Sequence, residues 1–187
     1  MISPDELLAS VASFLDECNV PYMIVGSFAS NLHGMPRATL DADIVVEIDE
    51  QKIDSLGLKL GRRFYLDTEA AKKSLFFQTM FNAVHIETAF KIDFLPRKRR
   101  DFSKEEFRRR GSDLLAGRLC FFATAEDTVL SKLEWSKKGQ SERQFLDAVN
   151  VVKLQRERLD FEYLRRWAAD LGIQDFLEKA LHEIDRI

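Results

Sequence analysis

The chain has 187 residues, of which 45% are hydrophobic and 15 are Phe, and its formal net charge is −3. That length and apolar content suit one domain with a substantial core, or one domain with an appendage. Nothing in the nearly balanced charge points to a nucleic-acid coat protein or a general membrane-surface binder.

Cys18 and Cys120 stand far apart in no metal-binding spacing and read as two reduced thiols. No apolar run approaches the roughly 18 residues of a membrane span, and the first residues lack the basic-then-apolar order of a signal peptide. The expected location is the cytoplasm, with no membrane partner.

In chain order, Ser3-Pro4-Asp5-Glu6 is a capping box with proline at the first helical position. The helix it opens carries Leu7, Leu8, Val11, Phe14 and Leu15 at helical spacing and ends near Pro21. Tyr22 to Val25 is a short apolar strand running into Gly26-Ser27. One or two helical turns follow from Phe28 to about His33, and Gly34 and Pro36 then break the chain. The next strand starts near Thr39 and continues from Asp41 to Ile48. Alternation places Ala42, Ile44, Val46 and Ile48 on one face, with Asp41, Asp43 and Glu47 on the other.

Asp49 caps a helix through about Leu60. Phe64 to Leu66 reads as a short strand, and Asp67 to Lys73 as a helix. Leu75 to Phe81 and Val84 to Glu87 read as two strands with Asn82-Ala83 turning between them, and Phe90 to Leu95 as another. From Arg97 to Arg110 eight basic residues face three acidic ones, with a short helix from Ser103. Leu114 to Phe122 is a hairpin or a returning strand. From Thr124 onward the pattern is helical, with helices opened by Thr124, Ser141 and Asp160 and a last one running to the chain end. The expected fold class is α/β (α+β): a mixed sheet with flanking helices over residues 1–123, then a helical part over 124–187.

The chemistry concentrates in three places. Asp41 and Asp43 share one strand face, which is either a solvated outer face or a hard-cation site whose oxygen ligands leave room for phosphates. Gly26 allows close backbone approach to a ligand, and Ser27 with the N–H groups of the following helix can hold phosphate oxygens. Asp93 lies in the otherwise apolar strand Phe90 to Leu95 and needs a partner, either an arginine or a metal shared with Asp41 and Asp43.

Arg37, between the turn and the acids, reads equally as a phosphate contact or a loop salt bridge. His33 shapes a turn, His85 has no companion for zinc, and His182 reads as surface. A G-x-S-x-G elbow and a P-loop are both absent, which removes a serine hydrolase around Ser27 and a P-loop enzyme.

Gly26-Ser27, a short helix, His33-Gly34-x-x-Arg37-x-Thr39-x-Asp41-x-Asp43 and the later apolar-Asp93-apolar strand together resemble the DNA polymerase β-like nucleotidyltransferase superfamily. Within it the nearest likeness is to the small bacterial AbiEii-type or MNT-like nucleotidyltransferases. The resemblance covers Tyr22 to Pro96 and extends more weakly to about Gly172.

It implies a nucleotidyltransferase core that moves an NMP group from an NTP to a hydroxyl acceptor, which is an RNA end, a protein or a small molecule. Mg²⁺ or Mn²⁺ is the implied cofactor, with Asp41, Asp43 and Asp93 as metal ligands and catalytic carboxylates. Gly26, Ser27, Arg37 and Lys132 are the implied nucleotide contacts. Lys132 and Asp147 match a lysine on one helix and an aspartate on the next that complete such sites. The lysine-aspartate pair common at the second motif is here Leu146-Asp147.

The residues by themselves leave Lys132 on a solvated face and Arg143–Asp147 as an i,i+4 pair equally open. A non-catalytic nucleotide- or partner-binding module of a toxin–antitoxin system is the rival function. A nucleic-acid binder using Arg97 to Arg110 is a third.

Overall fold

The structure is a computed structural model that describes residues 2–185. It divides into two compact units. One comprises residues 2–25 with Thr39–Phe122; the other comprises Gly26–Ala38 with residues 123–185. The segment Gly26–Ala38, expected from the sequence to be part of the sheet-bearing core, therefore groups with the C-terminal helices.

The first unit carries a seven-stranded mixed sheet among the described residues. Its strands are β1 (Tyr22–Val25), β2 (Asp41–Val46), β3 (Phe64–Tyr65), β4 (Phe81–His85), β5 (Lys91–Pro96), β6 (Gly111–Leu115) and β7 (Arg118–Phe122), in the order β3-β4-β5-β2-β1-β7-β6. The β2–β5 and β1–β7 pairs are parallel and the others antiparallel. Among the described residues four α-helices belong to this unit: α1 (Pro4–Glu17), α3 (Glu50–Leu60), α4 (Thr68–Phe77) and α5 (Asp101–Arg109).

The helix starts follow from local chemistry. Ser3 accepts the Glu6 amide while the Glu6 carboxylate accepts the Ser3 amide, the reciprocal capping box expected for α1. Asp49 and Asp67 accept amides at the starts of α3 and α4. Ala42, Ile44 and Val46 of β2 are buried on one face of the sheet, with Ile92 and Phe94 beside them on β5. Leu7, Leu8, Val11 and Leu15 of α1 and Ile53, Leu56 and Leu60 of α3 are buried as well, and the two helices touch. Each such Val, Leu, Ile or Phe side chain contributes roughly 1.5–3 kcal/mol through its burial.

Two sequence expectations fail here. Leu75 to Phe77 end helix α4 rather than begin a strand, and the helix stops at Gln78, whose φ of +53° is left-handed. Asn82 and Ala83 lie inside β4, paired with Asp93 and Ile92, instead of forming a turn. The turn comes later, at Ile86–Ala89, where the Ala89 amide donates to the His85 carbonyl at 2.8 Å. His85 is buried, hydrogen-bonds Thr88 Oγ1 at 2.9 Å and packs edge-on against Phe64, so its place is structural.

The second unit consists of helices α2 (Gly26–His33), α6 (Ala125–Gly139), α7 (Glu142–Gln155), α8 (Phe161–Asp170) and α9 (Gln174–Asp185) among the described residues. Thr124, Ser141 and Asp160 cap α6, α7 and α8 as their spacing predicts. The expected run of α9 to the chain end passes outside the described residues after Asp185. Helix α2 packs on α6 and α7. His33 Nε2 meets the Ala123 carbonyl at 2.8 Å, and Gln155 Nε2 donates to the His33 carbonyl at 3.0 Å.

Gly34 lies where α2 meets α7. A Cβ there would stand 2.8 Å from the Ser30 carbonyl oxygen and 3.0 Å from a Val151 methyl. Because the nearest atom is backbone, relief requires moving the helix. Gly34→Ala is expected to destabilise the protein by about 1–3 kcal/mol, read as a lowered urea midpoint at unchanged slope.

Candidate active site

Each unit holds its own cluster of candidate site residues, built from residues close in its own fold. In the first unit the sheet sets the arrangement. The parallel pairing of β2 with β5 places Asp43 opposite Asp93 and Asp41 opposite Lys91. Residues two apart on a strand share a face, so Asp41, Asp43, Lys91 and Asp93 stand together on the face opposite Ala42, Ile44 and Ile92. Three acids and one base thus occupy a two-by-two grid on adjacent strands. Val25, the register partner of Asp43, is the last residue before the chain enters Gly26.

Asp93 is the most buried of the three acids, at 5% exposure. Its Oδ2 accepts the Lys91 ammonium at 2.7 Å, whereas its Oδ1 is buried with no hydrogen-bond partner. Lys91 is partly exposed. The hydrogen bond from its ammonium to Asp93 holds its pKa above the ordinary range, against the opposing effect of burial, with added attraction from Asp93, Asp41 and Asp43. Thr39 Oγ1 hydrogen-bonds Asp41 Oδ1 at 3.0 Å and steadies that carboxylate.

Among the described residues, no group of three or more His, Cys, Asp or Glu side chains is gathered closely enough to hold a metal ion as a ready cage. Mg²⁺ does not require one, since it commonly takes one or two carboxylates and completes its shell with water and phosphate oxygens. An oxygen-only donor set with a buried, unpartnered Asp93 oxygen fits such a hard cation and suits soft metals poorly.

In the second unit, Gly26 opens α2 with φ of +62°, a left-handed conformation that strains any residue bearing a Cβ. Ser27 and Ser30 follow, both buried, and Ser30 Oγ donates to the Ser27 carbonyl at 3.1 Å. The Arg37 guanidinium forks onto Asp147, with Nε to Oδ1 at 3.1 Å and Nη2 to Oδ2 at 2.9 Å, and Nη2 also donates to Ser27 Oγ at 2.8 Å. Lys132 Nζ donates to the same Asp147 Oδ2 at 2.8 Å.

Lys132 is 4% exposed and Asp147 8%, so neither the solvated-face reading of Lys132 nor an Arg143–Asp147 pairing describes them. Asp147 pairs with Lys132 and Arg37, and Arg143 is exposed. Burial alone would raise the Asp147 pKa. The hydrogen bonds from Arg37 and Lys132 outweigh it and hold the carboxyl below its usual range. Arg37, Lys132 and Asp147 together carry one net positive charge.

Asn31 was not anticipated from the sequence. Its side-chain amide donates to the Arg37 carbonyl at 2.7 Å and its oxygen accepts the Arg37 amide at 3.1 Å. This two-point clamp fixes the backbone that aims Arg37. The clue was an Asn six residues before the arginine across a Gly-Pro break, a spacing no local rule singles out.

The basic stretch is partly neutralised by its own acids. Lys104 pairs with Asp101 and Arg108 with Glu105, each one helical turn apart, while Arg97 pairs with Glu47. Exposed pairs of this kind contribute little to stability.

No family model matches the chain, and no curated protein matches it either. Solved structures do. ANT(2")-Ia in complex with adenylyl-2"-tobramycin is 15% identical, with a TM-score of 0.57 over 90% of this chain and 96% of that one. A nucleotidyltransferase-like antigenic protein from Paracoccidioides brasiliensis is 17% identical, with a TM-score of 0.55 over 95% and 91%. The lincosamide antibiotic adenylyltransferase LnuA, lincomycin-bound, is 14% identical, with a TM-score of 0.52 over 80% and 96%. At these identities the likeness is one of fold. The chain has the nucleotidyltransferase fold, as the ordered motifs in its sequence imply.

Proposed function

We propose that the protein is a metal-dependent nucleotidyltransferase of the polymerase β-like type, moving an NMP group from an NTP to a hydroxyl acceptor. The observation that carries the reading is the register of Asp43 with Asp93 and the buried, unpartnered Oδ1 that Asp93 presents on that face. The shared fold with antibiotic adenylyltransferases supports it.

In this reading Asp41, Asp43 and Asp93 would hold Mg²⁺ or Mn²⁺, one or two of them to each ion with water and phosphate oxygens completing its shell, and Asp93 would serve the acceptor side. Such ions, when bound, sharpen the acceptor oxygen as a nucleophile and offset charge on the phosphoryl group. Gly26 and Ser27 take phosphate oxygens through backbone N–H groups and a hydroxyl. Arg37 and Lys132 are the nucleotide's cationic contacts, and Asp147 holds both in position. The AbiEii-type or MNT-like affinity rests on Lys132 and Asp147 falling on successive helices in the expected order.

The acceptor class is an RNA end, a protein hydroxyl or a small polyol such as an aminoglycoside or lincosamide. The experiment is incubation with α-³²P-labelled NTPs and Mg²⁺ or Mn²⁺ against cell RNA, cell protein, tobramycin and lincomycin. Metal-dependent label on one class of acceptor is the expected result. Label that persists with chelator present, or no transfer from any NTP to any acceptor class, contradicts the assignment and favours the non-catalytic module.

A further inference from the structure

The three carboxylates of the first unit do not stand alone. Lys91 shares their face, opposite Asp41 across the parallel β2–β5 pair and two residues before Asp93 on the same strand. Its ammonium reaches Asp93 Oδ2 at 2.7 Å, in place of one bond that a divalent cation would make there. The other oxygen of Asp93 has no partner, although a buried carboxylate ordinarily fills both. The arrangement is therefore half satisfied by an ammonium that is itself partly exposed and has water to move into.

We propose, resting on the metal reading above, that Lys91 is a tethered counter-ion of the carboxylate cluster: it holds Asp93 in the metal-free protein and yields Oδ2 when a divalent cation binds. Two consequences follow from charge alone. Without Lys91, Asp93 loses its ammonium on a face it shares with Asp41 and Asp43, and the repulsion among the acids is released into the fold. With Lys91 present, a divalent cation must displace one positive charge, and beside the three carboxylates it meets a neighbour of like sign. Lys91 thus stabilises the empty protein and weakens its affinity for metal. This ties tight metal occupancy to a nucleotide whose phosphates supply the missing negative charge.

The test uses the full chain freed of metal by chelation, with Mn²⁺ binding followed by electron paramagnetic resonance and stability followed by thermal melts. Lys91→Met is expected to bind Mn²⁺ about tenfold more tightly than the parent and to melt at a lower temperature without metal, with Mn²⁺ restoring more of its stability than it gives the parent. Lys91→Arg keeps the charge and is expected to bind Mn²⁺ as the parent does. Lys91→Gln provides a second neutral variant, expected to match Lys91→Met, should that protein fold poorly.

If both neutral variants bind Mn²⁺ with parental affinity or more weakly, the counter-ion role is overturned while the metal site stands. If neither the parent nor any variant binds Mn²⁺, with or without a non-hydrolysable NTP, the metal reading falls and the counter-ion role falls with it. Loss of Mn²⁺ binding in Asp93→Asn places the bound ion on this face and supports the assignment.

Discussion

Asp147→Ala is expected to be the most destabilising single change in the helical unit, costing about 3–5 kcal/mol. Asp147 is the shared anion of Arg37 and Lys132, at 2.9 and 2.8 Å. Its removal leaves the Lys132 ammonium, 4% exposed, without its carboxylate and takes away both anchors of the Arg37 fork. A buried cation deprived of its counter-ion is the costly case, whereas the intact pair adds little beyond offsetting its own desolvation. Chemical denaturation reads the loss, and a companion Asp147→Ala, Lys132→Met protein should recover most of it. A parent-like midpoint for Asp147→Ala would mean that these cations find other anions readily.

The same pair gives a pH signature with a definite sign. The Asp147 carboxyl is held below its ordinary range in the folded protein. Its stabilising contribution is therefore complete above about pH 4, the unfolded value, and is lost as pH falls through the lower folded pKa. The gap in stability between parent and Asp147→Ala should be constant near neutrality and close in acid. A gap that widened in acid would contradict the shift.

The second large effect is on activity. Asp43→Asn is expected to reduce NMP transfer on the order of a hundredfold or more, with no loss of stability in the metal-free protein. Asp43 stands in register with Asp93 and one strand repeat from Asp41, so in the proposed role neutralising it relieves repulsion among the acids while removing a proposed metal ligand. A purely structural carboxylate would behave oppositely, with melting temperature falling and any transfer retained. Thermal melts with and without Mg²⁺ and NTP distinguish the two, since binding to the folded state alone raises the melting point.

What could be read from the sequence was what depends on short spacings. The caps Ser3, Asp49, Thr124, Ser141 and Asp160 each sit next to the helix they open, and the alternation in Asp41 to Val46 declares its buried face directly. Leu75 to Phe81 misled because bulky aromatics favour strands. Phe76 and Phe77 are instead exposed at the end of α4, and the helix stops through a left-handed Gln78, which carries no compositional mark. The Asn82-Ala83 pair was a weak turn signal, overridden by pairing with β5, and the actual turn uses Ala89 at a positive φ that propensity disfavours.

At the candidate site, the acids drew attention because an Asp inside an apolar strand is conspicuous. Their organisation was not. Lys91 reads as an ordinary strand lysine until the parallel register sets it beside Asp41 and its side chain reaches Asp93. Arg37 and Asp147 are 110 residues apart, and only the packing of α2 against α7 makes one the partner of the other.

Because the acceptor is open, the central claim is tested most directly by nucleotide binding rather than by turnover. A non-hydrolysable NTP analogue titrated calorimetrically into the full chain with Mg²⁺ should bind with measurable heat. That heat should vanish when Mg²⁺ is replaced by chelator, and should be lost in Asp43→Asn while the variant remains folded. Analogue binding that is unchanged by chelator and by Asp43→Asn, or no binding by the parent under any of these conditions, would contradict a metal-dependent nucleotidyltransferase built on Asp41, Asp43 and Asp93.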